Sequence, residues 1–398
     1  MRATPEDVGL SAARLYKIDH LTQGYINDGM LPGTITLVAR RGKIVHLSCQ
    51  GKMDIEADKS MEDDTLFRIY SMSKPVTTTA LMMLYEDGRF QLDDPVSRFI
   101  PAFRELQVYS ADGRHTAPAR PMTIRDLLTH TSGLTYGFMN STPVDAMYRQ
   151  QGVEQSANLA EMVSKLAGIP LLFSPGSRWS YSVATDVCGH LVELIADTPF
   201  DEFLEEQIFA PLGMTDTGFV VPEDKVHRFA ANYDRTSDNG MRLIDSPESS
   251  PYLQDRGLHS GGGGLVSTIH DYYKFASMLL NQGEHAGTRI LGRKTVELMT
   301  SNHLPNNGDL TSMGQAVFSE TPYDGIGFGL GFSVMLDPAT AQILGSPGEF
   351  AWGGAASTYF FVDPKEDMLV IFMTQLMPSS SYPIRREMRV LAYQSIID

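Results

Sequence analysis

The sequence predicts an α/β (α+β) fold in which one antiparallel sheet, built from both ends of the chain, is flanked by helices and carries a mostly helical insertion. Two β-rich hairpin patterns near the termini, a helical pattern beside each of them, and a centre poor in strand signals point to that layout. Residues 1–80 and 265–398 are assigned to the sheet domain and residues 81–264 to the helical domain, with the default site in the cleft between them. A length of 398 residues suits two or three lobes.

The elements follow in order. Leu15, Ile18, Leu21, Tyr25 and Ile26 recur at three- and four-residue spacings after the candidate cap Ser11, which reads as an amphipathic helix over 11–29. Thr34 to Ala39 and Ile44 to Ser48 are β-rich runs joined by Arg40-Arg41-Gly42-Lys43, a hairpin with its turn glycine in place. Helical patterns at 122–130, 157–167, 183–196, 199–208 and 269–281 are separated by loops rich in Pro, Gly, Ser and Asp. Thr358 to Val362 and Met368 to Met373 form a second hairpin about Asp363-Pro364-Lys365-Glu366-Asp367, and a last helix runs from about Tyr382 to Ile397.

Composition narrows the function. Apolar residues at 42% and charged residues at 20% exclude the disordered, collagenous and disulfide-scaffold classes. The net charge of −16 would repel a nucleic-acid backbone and an anionic membrane surface, so neither is expected as a partner. Cys49 and Cys188 stand alone, without zinc or disulfide spacing. No run of 18 apolar residues and no signal-peptide pattern occurs, which leads us to expect a cytoplasmic protein.

The candidate chemistry lies at Ser71-Met72-Ser73-Lys74, an S-x-x-K sequence that places a nucleophile three residues before an amine. Spacing alone decides nothing, because 10 lysines and 32 serines in 398 positions give 10 × 32/398, or about 0.8 chance occurrences. Context decides: Phe67 to Tyr70 is extended in character, Val76 to Tyr85 is helical, and Pro75 fits a first helical turn. Residues i and i+3 on a helix lie roughly 5–6 Å apart at Cβ, so Lys74 can reach Ser71. The N–H groups of a helix start favour developing negative charge.

The segment Phe67-Arg68-Ile69-Tyr70-Ser71-Met72-Ser73-Lys74-Pro75 resembles the nucleophile segment of the serine β-lactamase-like superfamily, in particular class C β-lactamases and, most closely, family VIII carboxylesterases. Leu127 to Leu134, Pro211 to Thr217 and Gly263 to Thr268 match in the same order, so the likeness spans nearly the whole chain. The resemblance implies a β-lactamase/transpeptidase-like fold. It makes Tyr181, in Trp179-Ser180-Tyr181-Ser182-Val183, the counterpart of the Y-x-N tyrosine, with Val183 in place of the asparagine. A phenol beside an ammonium is expected to have its pKa lowered, fitting Tyr181 to take the Ser71 proton and return it to the leaving group. Trp352-Gly353-Gly354 corresponds to K-T-G in its W-G-G form, so the carboxylate-binding lysine is replaced by an apolar wall. By the same resemblance the N–H groups of Ser71 and Ala355 form the oxyanion hole, while Trp352, Gly353, Gly354 and Val183 border the substrate.

Other features carry less. Gly261 to Gly264 lack the residues of a phosphate cradle and read as a flexible cleft-side loop; Gly325, Gly327, Gly329 and Gly331 alternate with apolar residues and read as one strand needing close backbone approach. The ten histidines show no metal-ligand spacing, and His130 and His259 read as structural residues near the cleft. The 21 methionines, Met82 and Met83 among them, read as core filling. The expected protein is a serine carboxylesterase acting on small, short-acyl esters, neutral rather than anionic, through an acyl-enzyme on Ser71. It needs no cofactor or metal and acts as a monomer or homo-oligomer. A β-lactamase, D-amino-acid peptidase or acyltransferase with the same nucleophile is the nearest alternative, with weak β-lactam hydrolysis as a side activity. A non-catalytic binding or assembly protein is the alternative of another class.

Overall fold

The computed structural model describes residues 3–237, 240–314 and 323–398. Helix α1, Ala12–Asn27, starts after an extended Ser11 and buries Leu15 and Ile18. Strands β1, Gly33–Arg40, and β2, Lys43–Asp54, pair antiparallel from Gly33 opposite Gly51 to Arg40 opposite Lys43. Their turn holds Arg41 and Gly42 at φ of 53° and 71°. Two consecutive left-handed residues twist a two-residue turn in the hand of the strands, which fixes the register. Strand β3 is Lys59–Ser60.

The other half of the sheet comes from the far end of the chain: β4, Ile326–Phe328; β5, Ser333–Met335; β6, Phe350–Gly353; β7, Tyr359–Asp363; and β8, Met368–Met373. The order across the sheet is β4-β5-β6-β7-β8-β1-β2-β3, and every neighbouring pair is antiparallel. The termini therefore meet at β8 and β1, where Leu37 faces Ile371. Alternate residues serve two cores, as period two requires. Val38, Phe361 and Val370 pack with Leu15 and Ile18 of α1 and with Met388 of α5, Ile384–Tyr393. Leu37, Phe360 and Ile371 face the other way, toward α2, Ser73–Glu86, and α4, Ile269–Leu280.

Both terminal hairpins, the first helix and the last helix stand where the sequence placed them, and so do the helical patterns of the centre. The glycine-alternating stretch differs. It is two short strands around a turn, because Gly331 has φ of 99° and bends the chain where a Cβ would lie 2.2 Å from Thr78 Oγ1. Close approach, toward α2, was the correct half of that reading. Sequence reasoning also passed over the hairpin Asn232–Arg235 and Met241–Asp245, which pairs in parallel with Leu376–Met377. Its first strand, Asn-Tyr-Asp-Arg, is polar, and in the second only Met241 and Leu243 alternate inward, too short a run to mark a strand. Among the described residues no helix is long and apolar enough to cross a membrane.

Candidate active site

The nucleophile segment is held from both sides. Phe67–Arg68 pairs with Val266–Ser267, and the buried Arg68 guanidinium bonds Asp245 at 2.6 Å and the Ala230 carbonyl at 2.6 Å. Tyr70, at φ of 43°, then turns the chain into a 3-10 turn, Tyr70–Met72, that continues as α2. A left-handed non-glycine residue stores strain, here immediately before Ser71. The motif thus opens a helix, as its Pro75 predicts.

Lys74 Nζ donates to Ser71 Oγ at 3.3 Å and to the Gly262 carbonyl at 2.6 Å. Its side chain is buried, and its amine lies 4.4 Å from the centre of the Tyr181 ring. Burial destabilises the ammonium and lowers its pKa to about 7, with the Asp186 carboxylate opposing the shift. Lys74 is therefore substantially neutral near physiological pH, competent to accept a proton.

Tyr181 corrects an expectation. Its pKa is raised rather than lowered, because burial outweighs the hydrogen bonds of the Ser71 and Trp352 side chains. The ammonium invoked to lower it is itself destabilised, and the amine lies over the ring, 4.4 Å from its centre. Tyr181 stays a phenol, accepting from Trp352 Nε1 at 3.3 Å.

Ser71, Tyr181, Trp352, Gly353, Gly354 and Ala355 border one cavity of about 550 Å³. The glycines have a steric reason. A Cβ on Gly354 would stand 2.2 Å from Thr358 Oγ1 and 2.5 Å from the Ile69 carbonyl, so this turn closes against the nucleophile segment only without a side chain. Val183 does not border the cavity: it is fully buried in the residue preceding α3, Ala184–Ala196. Its apolar side chain belongs to the core, which is why the asparagine position offers no contact here.

The four-glycine segment is packed against the site, contrary to a flexible loop. Thr77 Oγ1 donates to the Gly261 carbonyl at 2.8 Å, Lys74 takes the Gly262 carbonyl, and Ser73 Oγ accepts from the Leu265 N–H at 3.1 Å. Asp186, in the first turn of α3, accepts from Ser260 Oγ and from the Gly262 N–H at 3.1 Å. Burial raises its pKa, partly offset by those bonds and by Lys74. His130 lies behind the site, its ring 5.0 Å from that of Tyr181 and its Nδ1 3.2 Å from Ser182 Oγ. Burial holds it well below its ordinary pKa, hence neutral. His259 is elsewhere, between Asp201 and Asp255.

The Beta-lactamase family model matches residues 18–394. The chain belongs to this family. It is 38% identical over 361 residues to Protein Rv1367c of Mycobacterium tuberculosis (strain ATCC 25618 / H37Rv), covering 89% of this chain and 88% of that one. Esterase EstB of Burkholderia gladioli is 32% identical over 394 residues, with 93% of each chain covered. A solved structure described as EstCE1, a hydrolase with promiscuous acyltransferase activity, superposes with a TM-score of 0.81 at 30% identity, covering 96% of this chain and 99% of its own. The family fold expected from residues 67–75 thus extends over the whole chain.

Sequence reasoning missed Asp186, the Gly262 carbonyl and the arginines Arg385, Arg386 and Arg389, which border the cavity from α5. An acidic residue in a first helical turn is a common dipole complement and gave Asp186 no distinguishing mark. The arginines follow a proline in a helix whose facing element is 30 residues away in sequence.

Proposed function

We propose that the protein is a serine carboxylesterase, similar to the family VIII enzymes, that hydrolyses small esters through an acyl-enzyme on Ser71. The observation carrying this reading is the 3.3 Å bond between Ser71 Oγ and a buried Lys74 whose pKa is brought to about 7. Neutral Lys74 takes the hydroxyl proton as Oγ attacks the ester carbonyl carbon. The carbonyl oxygen becomes an anion facing the N–H groups of Ser71 and Ala355. Collapse breaks the ester C–O bond, and the departing alkoxide takes a proton from the Tyr181 phenol, which is replenished from the Lys74 ammonium. A water then attacks the acyl-enzyme with Lys74 as base, releasing the acid and restoring Ser71.

Treatment with a serine-directed phosphonate followed by intact-mass measurement tests the assignment. One adduct, lost in Ser71→Ala together with turnover of p-nitrophenyl butyrate, is expected; full turnover by Ser71→Ala overturns it. Nitrocefin turnover well below ester turnover is expected, since Trp352 stands where K-T-G has its lysine. Transfer of the acyl group to an alcohol instead of water is a second reading, favoured by the likeness to EstCE1. An increase in butyl ester at the expense of acid when butanol is added would establish it.

A further inference from the structure

An oxyanion hole works only if its N–H groups hold their direction while the anion forms, yet the peptide that carries the Ala355 N–H lies in a turn outside the sheet. We propose that Arg385 is a positioning residue for the oxyanion hole: by donating to the Gly354 carbonyl it fixes the Gly354–Ala355 peptide and so aims the Ala355 N–H. The inference rests on the esterase reading of the Ser71 site and adds to it a residue that acts through the backbone.

Residues 354–358 join β6 to β7, and their hydrogen bonds converge on two carbonyls. Arg385 Nη2 donates to the Gly354 carbonyl at 2.5 Å and to the Thr358 carbonyl at 3.0 Å. The Gly354 N–H also donates to the Thr358 carbonyl, at 2.9 Å, and the Ser357 N–H donates to the Gly354 carbonyl at 3.2 Å. One guanidinium nitrogen therefore bridges both ends of the turn. Ala355 borders the cavity, and among the described residues its N–H donates to no protein acceptor.

A trans peptide is planar, with its C=O and N–H directed oppositely. Holding the Gly354 carbonyl from one side thus sets the direction of the Ala355 N–H on the other, and a hydrogen bond accepted by the carbonyl also polarises that N–H. Without Arg385 the carbonyl keeps only the longer bond from Ser357. Glycine at 354 makes the anchor necessary, because the closure of the turn excludes a Cβ and a residue without one restricts its own torsions least. Glycine at 353 makes it possible, since a Cβ there would stand 2.7 Å from Arg385 Cζ. The guanidinium is delivered by the first turn of α5, whose Ile384, Met388 and Ala392 are buried against the sheet. Positioning needs a donor in a fixed place, not an unpaired charge, so any further partner of the guanidinium only holds it more firmly.

A matched pair of inhibitors reads the oxyanion hole apart from binding: a trifluoromethyl ketone with a pentyl chain, and the corresponding trifluoromethyl alcohol. Only the ketone reacts. Ser71 Oγ bonds to its carbonyl carbon, the hydroxyl proton passes to Lys74, and the ketone oxygen becomes the anion. In Arg385→Met the inhibition constant of the ketone should rise about 10- to 100-fold while that of the alcohol stays within about threefold, a misplaced donor costing less than the roughly 10²–10³ of a donor removed. For p-nitrophenyl butyrate, kcat should fall by a similar factor with KM within about threefold. Arg385→Lys, which keeps a cationic donor on a long stem, should recover part of both losses. Arg385→Gln, too short for either carbonyl, is expected to match Arg385→Met and takes its place if the methionine variant fails to fold. An unchanged ketone-to-alcohol ratio in the folded variant, or a loss confined to KM, overturns the positioning role and leaves the esterase reading intact. A wild type that turns over no ester overturns the esterase reading itself.

Discussion

Replacing Asp186 by Asn tests which group is the base. Asp186 Oδ1 lies 3.1 Å from the Gly262 N–H, while Lys74 Nζ lies 2.6 Å from the carbonyl of that same residue. One residue thus bridges the two charges, and for a separation on the order of 8 Å at an effective dielectric of about 20 such a pair attracts by about 2 kcal/mol. Part of that field is absorbed by the Ser260 and Gly262 donors, so removal of the carboxylate charge should lower the Lys74 pKa by about one unit. Asparagine keeps an oxygen for both donors, which isolates charge from shape. The assay is kcat/KM for p-nitrophenyl butyrate from pH 5 to 9. If neutral Lys74 is the base, wild type climbs with unit slope to a plateau above about pH 7, reaching roughly a tenth of the plateau one unit below. In Asp186→Asn the whole acid limb moves to lower pH. A wild-type profile that falls as pH rises through 7 would mean that the ammonium is the active form. A limb that stays or moves upward in the variant would refute the electrostatic link.

Tyr181→Phe keeps the ring against His130 and Trp179 and removes only the phenol. Its kcat should fall about 10²–10⁴-fold with KM little changed, and a loss within twofold would remove Tyr181 from proton transfer. Gly354→Ala forces a Cβ to 2.2 Å from Thr358 Oγ1, an overpacking of about 1–3 kcal/mol that should lower the thermal midpoint by calorimetry. Displacement of Ala355 should cut ester turnover by more than about tenfold in the same variant. Lys74→Met should be inactive yet more stable at pH 7. Between pH 7 and 10.5 the unfolded chain binds a proton at Lys74 that the folded chain does not, so wild-type stability rises with pH across that window. The burial cost, up to about 5 kcal/mol at and below pH 7, is absent in the methionine variant. The gain in thermal midpoint should therefore shrink toward pH 10.5; a variant less stable at every pH would refute this.

The parts of the fold legible in the sequence are those whose signals are local. Arg41-Gly42 fixes a hairpin because two left-handed residues are needed in succession, and the apolar spacing of α1 appears within 16 residues. That one sheet is built from both ends of the chain was inferable, because hairpins at both termini leave edges that pair with each other, as β1 does with β8. The Asn232–Arg235 hairpin escaped because Leu376–Met377, its partner, lies more than 140 residues away. Likewise the split of the glycine stretch depends on Thr78 of α2 reaching Gly331, a contact that periodicity does not encode.

The site divides along the same line. Ser71 and Lys74 were brought together by one helical turn, so three residues of sequence carried the geometry. Charge states were not readable, because they depend on what surrounds a group from every side. The same burial that lowers Lys74 raises Tyr181, the opposite of the lowered phenol that opposite-charge reasoning alone suggests. Gly353 shows the complementary failure: read as bordering the substrate, it is also room for Arg385, because a Cβ there would stand 2.7 Å from the guanidinium carbon, a close approach by a residue far along the chain that no motif encodes.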